Sequence, residues 1–331
     1  MIAHLLRQSE VDCNAFLGGI LKNYGTNLLL SDKSHITVAE ADEYDRSFHW
    51  LRPWIAVITS ADPDHLDIYG TEEAYRESFE HFTSLIRKGG YLILKEGAPV
   101  TPHTDASVKI FTYSESRGDF HAENISIGNG EIIFDFVAPD SRIAGIQLGV
   151  PVRVNIENAV AAIAAALLCG VGPDEIRQAM KSFGGAKRRF DFQLKRPDIV
   201  FIDDYAHHPQ EVAASIRSIR QLYPERKITG VFQPHLYSRT RDFADDFARS
   251  LSLLDDVILL DIYPARAEPI PGVTSEIIFD KISSKEKVLL KKGELLDFLQ
   301  QKKLDVLVTL GAGDIEHLLP AIREMLEKRG V

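Results

Sequence analysis

The chain has 331 residues with 38 basic against 48 acidic side chains, a formal net charge of −10, and an ordinary apolar share of 45%. That length exceeds what one hydrophobic core usually fills, so two domains are expected. The acidic balance argues against a nucleic-acid-binding surface, and the longest apolar run, 159–169, falls far short of the ~20 residues a membrane span needs, so neither nucleic acid nor membrane is an expected partner. Cys13 and Cys169 both lie in apolar or helical settings, which supports neither a disulfide framework nor a cysteine zinc site and fits a cytoplasmic location.

The chain opens at Met1 on a helical pattern with no cap and no preceding strand, so it is expected to begin inside an element. A strand at 36–39 runs into Glu40, Asp42, Glu43 and Asp45, and a second at 55–59 runs into Asp62, Asp64, His65 and Asp67. A helix over 71–87 and a strand over 91–94 follow, then short strands over 109–148 around the turn signal Gly128-Asn129-Gly130, read as an antiparallel patch. The domain boundary is placed after Gly149, giving 1–149 and 150–331.

The second part begins with a small, apolar helix at 156–169, stopped by Gly170 and Gly172, and a helix capped by Asp174. After a loop bearing Gly184, Gly185, Arg188 and Arg189, the apolar run 199–202 halts at Asp203, Asp204, Tyr205, His207 and His208. Pro209 then starts a helix. Strands at 228–232, 257–260 and 306–310, with a helix at 242–254, complete an alternation that implies an α/β fold with a mostly parallel, doubly wound sheet. In such sheets ligands bind beyond the carboxyl ends of the strands, where these polar clusters fall.

Each cluster has a chemistry and a plainer alternative. Glu40 and His65 from neighbouring strand ends could hold a divalent cation with water and phosphate oxygens, or could be solvated turn residues. Arg188 suits a phosphate, or a basic surface turn. Asn155 and Asn158 could read a purine edge or cap a helix, and Arg239 could grip a carboxylate with both arms. Gly311-Ala312-Gly313-Asp314 lacks the third glycine of a dinucleotide fingerprint, which disfavours a dehydrogenase.

The ordered blocks EADEYD, TSADPDHLD, PVRVNIENA, FGGAKRRF, DDYAHHPQE, FQPHLYSRT and GAGDI together resemble the Mur ligases of peptidoglycan synthesis over essentially the whole chain. The resemblance implies an incomplete Mur-ligase central domain followed by a Rossmann-like carboxy-terminal domain. It implies an ATP- and Mg2+-dependent amide-bond former, in which the carboxylate of UDP-N-acetylmuramate takes the γ-phosphoryl of ATP and the amine of L-alanine displaces phosphate. On this resemblance Glu40 and His65 match magnesium ligands, Asn155 and Asn158 the pair near adenine, and Arg188 the loop arginine near the phosphates. Asp204 matches the ribose-binding aspartate, and Tyr205, His207 and Arg239 match residues lining the nucleotide and amino-acid pocket.

Three departures stand out. Val154 replaces a histidine frequent in the family, and Leu236 an arginine or other polar residue. The family's amino-terminal UDP-binding domain and its phosphate loop, G-T-H-G-K-T, are expected ahead of Met1 and do not occur in the 331 residues. The expectation is therefore little or no ligase activity for this polypeptide alone, and an incomplete central sheet whose apolar surface favours self-association. The rival readings are the sister ligase that attaches a recovered tripeptide, disfavoured by the FQPH block, and a non-catalytic fragment binding a nucleotide or a partner.

Overall fold

The computed structural model describes residues 1–63, 66–265 and 267–329, with the side chains of Leu66 and Asp67 excepted. Contacts divide the chain into two units, residues 1–127 with 131–185 and residues 128–130 with 186–331. The helices between 150 and 185 thus sit in the first unit, where the sequence alone puts them with the second.

The first unit runs α1 (Ile2–Arg7), β1 (Asn14–Leu21), β2 (Thr26–Leu29), β3 (Thr37–Ala39), β4 (Ile55–Ile58), α2 (Leu66–Tyr69), α3 (Glu72–Ser84), β5 (Tyr91–Lys95), β6 (Lys109–Tyr113), β7 (His121–Gly128), β8 (Glu131–Ala138), β9 (Ser141–Gln147), α4 (Val154–Leu168) and α5 (Pro173–Ser182). These strands form three sheets, ordered β2-β1-β3, β4-β5-β6 and β7-β8-β9. The β4-β5-β6 sheet is parallel, so β6 belongs to it and the antiparallel patch starts only at β7. Thr71 starts α3 by accepting the Ala74 N–H at 3.1 Å, and the apolar face of that helix, with Phe79 and Phe82, packs with Phe48, Leu92 and Leu94. α5 begins after Gly172, where the Glu175 carboxylate accepts the Gly172 N–H at 2.9 Å; Asp174 lies inside the first turn and pairs with Arg177 rather than capping. In the β2-β1-β3 sheet, Phe16 faces Leu28 across the strands and both are exposed, as are Ile20 and Leu30.

The second unit runs β10 (Asp191–Lys195), β11 (Val200–Asp204), α6 (Pro209–Leu222), β12 (Ile228–Phe232), α7 (Tyr237–Asp242), α8 (Ala244–Leu251), β13 (Asp256–Leu260), α9 (Glu276–Phe279), β14 (Glu286–Leu290), α10 (Leu295–Gln301), β15 (Val306–Leu310) and α11 (Leu319–Lys328). Its strand order is β10-β11-β15-β12-β13-β14, all parallel except the edge strand β10. Successive strand residues face opposite ways, and here both faces are covered, which is why these strands read as unbroken apolar runs. Phe201, Val231, Ile258 and Leu307 face Leu295 and Leu299 of α10 and Ile322 and Leu326 of α11. On the other face Phe232 meets Phe247 of α8 at 5.1 Å between ring centres. Because β15 lies between β11 and β12, the loops at 203–208, 311–316 and 233–239 are neighbours on one edge.

Candidate active site

Asp203, next to last in β11, is fully buried, and its carboxylate accepts the Thr309 hydroxyl at 2.7 Å and Arg188 Nε at 3.2 Å. Burial raises its pKa, and Thr309 and Arg188 oppose the rise. The Arg188 guanidinium also donates to the Gly311 carbonyl at 2.7 Å and to Glu316 at 3.0 Å, and lies 4.8 Å from the centre of the Tyr205 ring. Three separate elements therefore fix one planar cation. The loop that carries it is constrained as well: Arg188 and Phe190 hold φ of 60° and 46°, and the Arg188 carbonyl accepts the Tyr205 N–H at 2.8 Å. Asp204 is raised by burial, against the backbone amides of Phe190 and Ala206 and the charge of Arg189.

His207 follows at the start of α6, where the Glu211 carboxylate accepts the N–H groups of His207 and His208 at 2.9 and 3.1 Å. Its Nδ1 lies 3.1 Å from the Tyr205 carbonyl, which can only accept, so the proton sits on Nδ1. The ring stands 5.3 Å from Tyr205 and 6.4 Å from His235. Beyond β12, Arg239 Nη1 of α7 lies 3.3 Å from His235 Nδ1, and His235 stacks on Tyr263 at 5.8 Å. Burial, then the charges of Arg239 and His207, lower the pKa of His235.

Gln233, almost fully buried, ties two of these loops together. Its amide donates to Asp314 at 2.9 Å and accepts the Ile315 N–H at 2.9 Å. A Cβ at residue 311 would sit 2.5 Å from the Gln233 carbonyl, and one at 313 would sit 2.2 Å from its side-chain oxygen. Both glycines of the GAGD stretch thus make room for Gln233, with Gly311 also at φ 127°. Burial opposes ionisation of Asp314, yet Lys292 and Gln233 hold its carboxyl below the usual range.

In the first unit Glu40 is exposed beyond β3, and its carboxylate accepts the Gly18 N–H at 2.7 Å. A side chain at 18 would put its Cβ 2.3 Å from that carboxylate. One oriented carboxylate with open surroundings suits magnesium, which keeps most of its water. His65 lies outside the described residues, and among the described residues no cluster of three or more metal-ligating side chains occurs. Asn155 donates to the Val150 carbonyl at 3.0 Å, holding the turn before α4, and accepts from Asn158 at 3.2 Å. Arg153, not Asn155, is the N-cap residue of α4.

Arg188, Asp204, Tyr205, His207 and Arg239 thus gather on one edge of the second unit, and the asparagine pair and Glu40 occupy two places in the first. The sequence gives no individual role to Thr309, Glu316, Gln233 or Tyr263, although the last two fall in polar stretches after strands. Thr309 had left a signal, a hydroxyl inside the apolar run of β15 that calls for a partner.

Residues 1–166 match the family model of the Mur ligase middle domain and residues 188–313 that of the Mur ligase, glutamate ligase domain. UDP-N-acetylmuramate–L-alanine ligase of Parabacteroides distasonis is 63% identical over 99% of this chain and 71% of its own length. The enzyme of the same name from Porphyromonas gingivalis is 56% identical over 99% of this chain and 72% of its own length. Among solved structures, UDP-N-acetylmuramate-alanine ligase from Thermotoga maritima superimposes with a TM-score of 0.81 at 26% identity, covering 99% of this chain and 72% of that one. An α/β chain with both domain matches and relatives this similar belongs to the Mur ligases, a family of ATP-dependent ligases that use magnesium.

Proposed function

We propose that the chain carries the nucleotide and amino-acid sites of a ligase that joins L-alanine to UDP-N-acetylmuramate. The observation that carries this reading is the single edge on which Arg188, Tyr205, His207, His235 and Arg239 meet, in a chain 63% identical to a relative bearing that name. The substrate carboxylate would take the γ-phosphoryl of ATP, and the amine of L-alanine would then displace phosphate from the acyl phosphate and lose a proton. Such a reaction needs charge neutralised and groups aligned more than covalent help.

Arg188, already fixed by three acceptors, suits the phosphates; Asp204 suits the ribose hydroxyls; Tyr205 and His207 line the nucleotide side; and Arg239 suits the carboxylate of L-alanine. Asn155 and Asn158 would meet adenine, with Asn158 the freer of the two because Asn155 also holds the Val150 carbonyl. Glu40, with His65, would hold magnesium, which bridges and neutralises phosphate oxygens. A cytoplasmic location is supported by two free cysteines, and among the described residues no helix is long and apolar enough to cross a membrane. The exposed pair Phe16 and Leu28 supports self-association of this polypeptide, which a monomeric mass in light scattering would contradict.

We infer also that these 331 residues alone turn over little, because they contain no G-x-x-x-x-G-K-[ST] stretch to cradle phosphates. The test compares this polypeptide with a chimaera that adds the unmatched part of the Parabacteroides relative, measuring phosphate release with UDP-N-acetylmuramate, ATP and magnesium. Release by the chimaera that depends on L-alanine is expected. Dependence on a tripeptide instead would overturn the acceptor, and equal release by the shorter polypeptide would overturn the inferred inactivity.

A further inference from the structure

The loop directly after β13 carries none of the roles proposed so far, yet it borders the amino-acid side of the edge. The Leu236 N–H donates to the Tyr263 carbonyl at 3.0 Å and the Tyr263 N–H to the Pro234 carbonyl at 2.8 Å, prolonging the pairing of β12 with β13 past the sheet. Leu236 holds φ of 69°, a left-handed conformation that a γ-branched side chain rarely adopts, and it is the residue from which α7 starts. Arg239 is the third residue of that short helix, so this turn sets where its side chain leaves the backbone.

The backbone bonds fix the turn, and the Tyr263 ring does something separate. It lies against the His235 imidazole with 25° between planes and centres 5.8 Å apart. An imidazole packed in this way cannot tilt out of its plane without losing the stack. That matters because an arginine only donates: with Arg239 Nη1 at 3.3 Å, His235 Nδ1 must accept, which leaves the proton on Nε2. The imidazole is then neutral, with one N–H directed away from Arg239.

We propose that Tyr263 is a positioning residue of the amino-acid pocket: its ring locks the His235 imidazole in the orientation that aligns Arg239, so that imidazole N–H and guanidinium can meet one carboxylate together. The proposal rests on the reading of this edge as the amino-acid side of the site. The groups facing His235 are Arg239 on α7, His207 beyond β11 and Tyr263 beyond β13, and the first two disfavour a charged imidazole, in keeping with the neutral form.

The test uses the whole chain with nitrogen-labelled histidine, His235→Gln to assign the signal, and the variants Tyr263→Phe and Tyr263→Ala. In the parent protein and in Tyr263→Phe, His235 is expected as the Nε2–H tautomer with a pKa below the ordinary histidine value. In Tyr263→Ala the tautomers should mix and the pKa should move up towards that value, while α-helical content and the other histidine signals stay in place. L-alanine binding, followed by chemical shift, should weaken about 2- to 10-fold in Tyr263→Ala and not in Tyr263→Phe. An unchanged His235 tautomer and pKa in Tyr263→Ala would overturn the proposal. Should the parent chain ignore L-alanine while Tyr263→Ala still releases His235, the positioning role stands and the amino-acid assignment of this edge falls.

Discussion

At the carboxyl edge of the second unit almost every polar side chain is held by another that is itself held: Thr309 fixes Asp203, Asp203 fixes Arg188, and Gln233 fixes Asp314, which fixes Lys292. The candidate binding groups of the first unit are supported far more sparsely. Glu40 rests on one backbone N–H, and Asn155 and Asn158 rest on each other and on one carbonyl. A buried network is costly unless fully paired, so the second unit carries its binding geometry before any ligand arrives. The first offers exposed groups that a cation or a base must order, as suits a hydrated magnesium ion.

That contrast can be broken most sharply at Asp203. Replacing Asp203 with Ala leaves the half-buried Arg188 without its fully buried partner, and removal of one member of a buried pair costs about 3–5 kcal/mol. Urea unfolding should show a loss of that order, whereas Glu40→Ala should leave stability nearly unchanged; similar losses for both would erase the distinction. Gly313→Ala comes next. Its Cβ would meet Gln233 and Tyr263, and the overpacking should cost about 1–3 kcal/mol in the same measurement.

Gly18→Ala sharpens the first unit's side of the comparison. The new methyl would displace the Glu40 carboxylate with little effect on folding, since that carboxylate is exposed, but Mg2+ or Mn2+ affinity should fall about 10-fold, as when a ligand loses its outer support. Unchanged metal affinity would overturn the proposal that Glu40 holds magnesium. The smallest effect is one of sign with pH. Asp135 is held down to about 2 by Arg142, Asn124 and the Gly145 N–H, so its contribution is present above the ordinary aspartate value and is lost as pH falls from about 4 towards 2. Asp203 is raised, so its own term runs the other way, favouring the fold at low pH and fading as pH rises through its folded value. Acid titration of stability should therefore flatten in Asp135→Asn, and an unaltered slope would contradict the assignment.

The same difference between units governs what the sequence disclosed. β11, β12, β13 and β15 were legible because coverage on both faces makes them continuous apolar runs, and each ends in a contiguous polar loop. β1 and β2 were not, since Gly18 and Gly19 interrupt the first and much of both is exposed. The parallel pairing of β6 escaped notice because the connection 96–108 contains no helix to mark a crossover. Within the site, Arg188 and Asp204 stood out by their neighbours in sequence. The partners of Arg188 at Gly311 and Glu316 lie 123 and 128 residues away, and only the placement of β15 beside β11 brings them to it. The two glycines of GAGD likewise gain their reason only from a glutamine in the loop after another strand.

The proposed role of Arg188 is that of an anion site for a nucleotide, its guanidinium fixed before the ligand arrives. Titrating MgATP calorimetrically into the chain and into Arg188→Lys tests it most directly, because lysine keeps the charge beside Asp203 but loses the planar fork. Binding by the parent chain, weakened about 10-fold or more in the variant, is the predicted result. Equal affinities, or no binding by either protein, would contradict it.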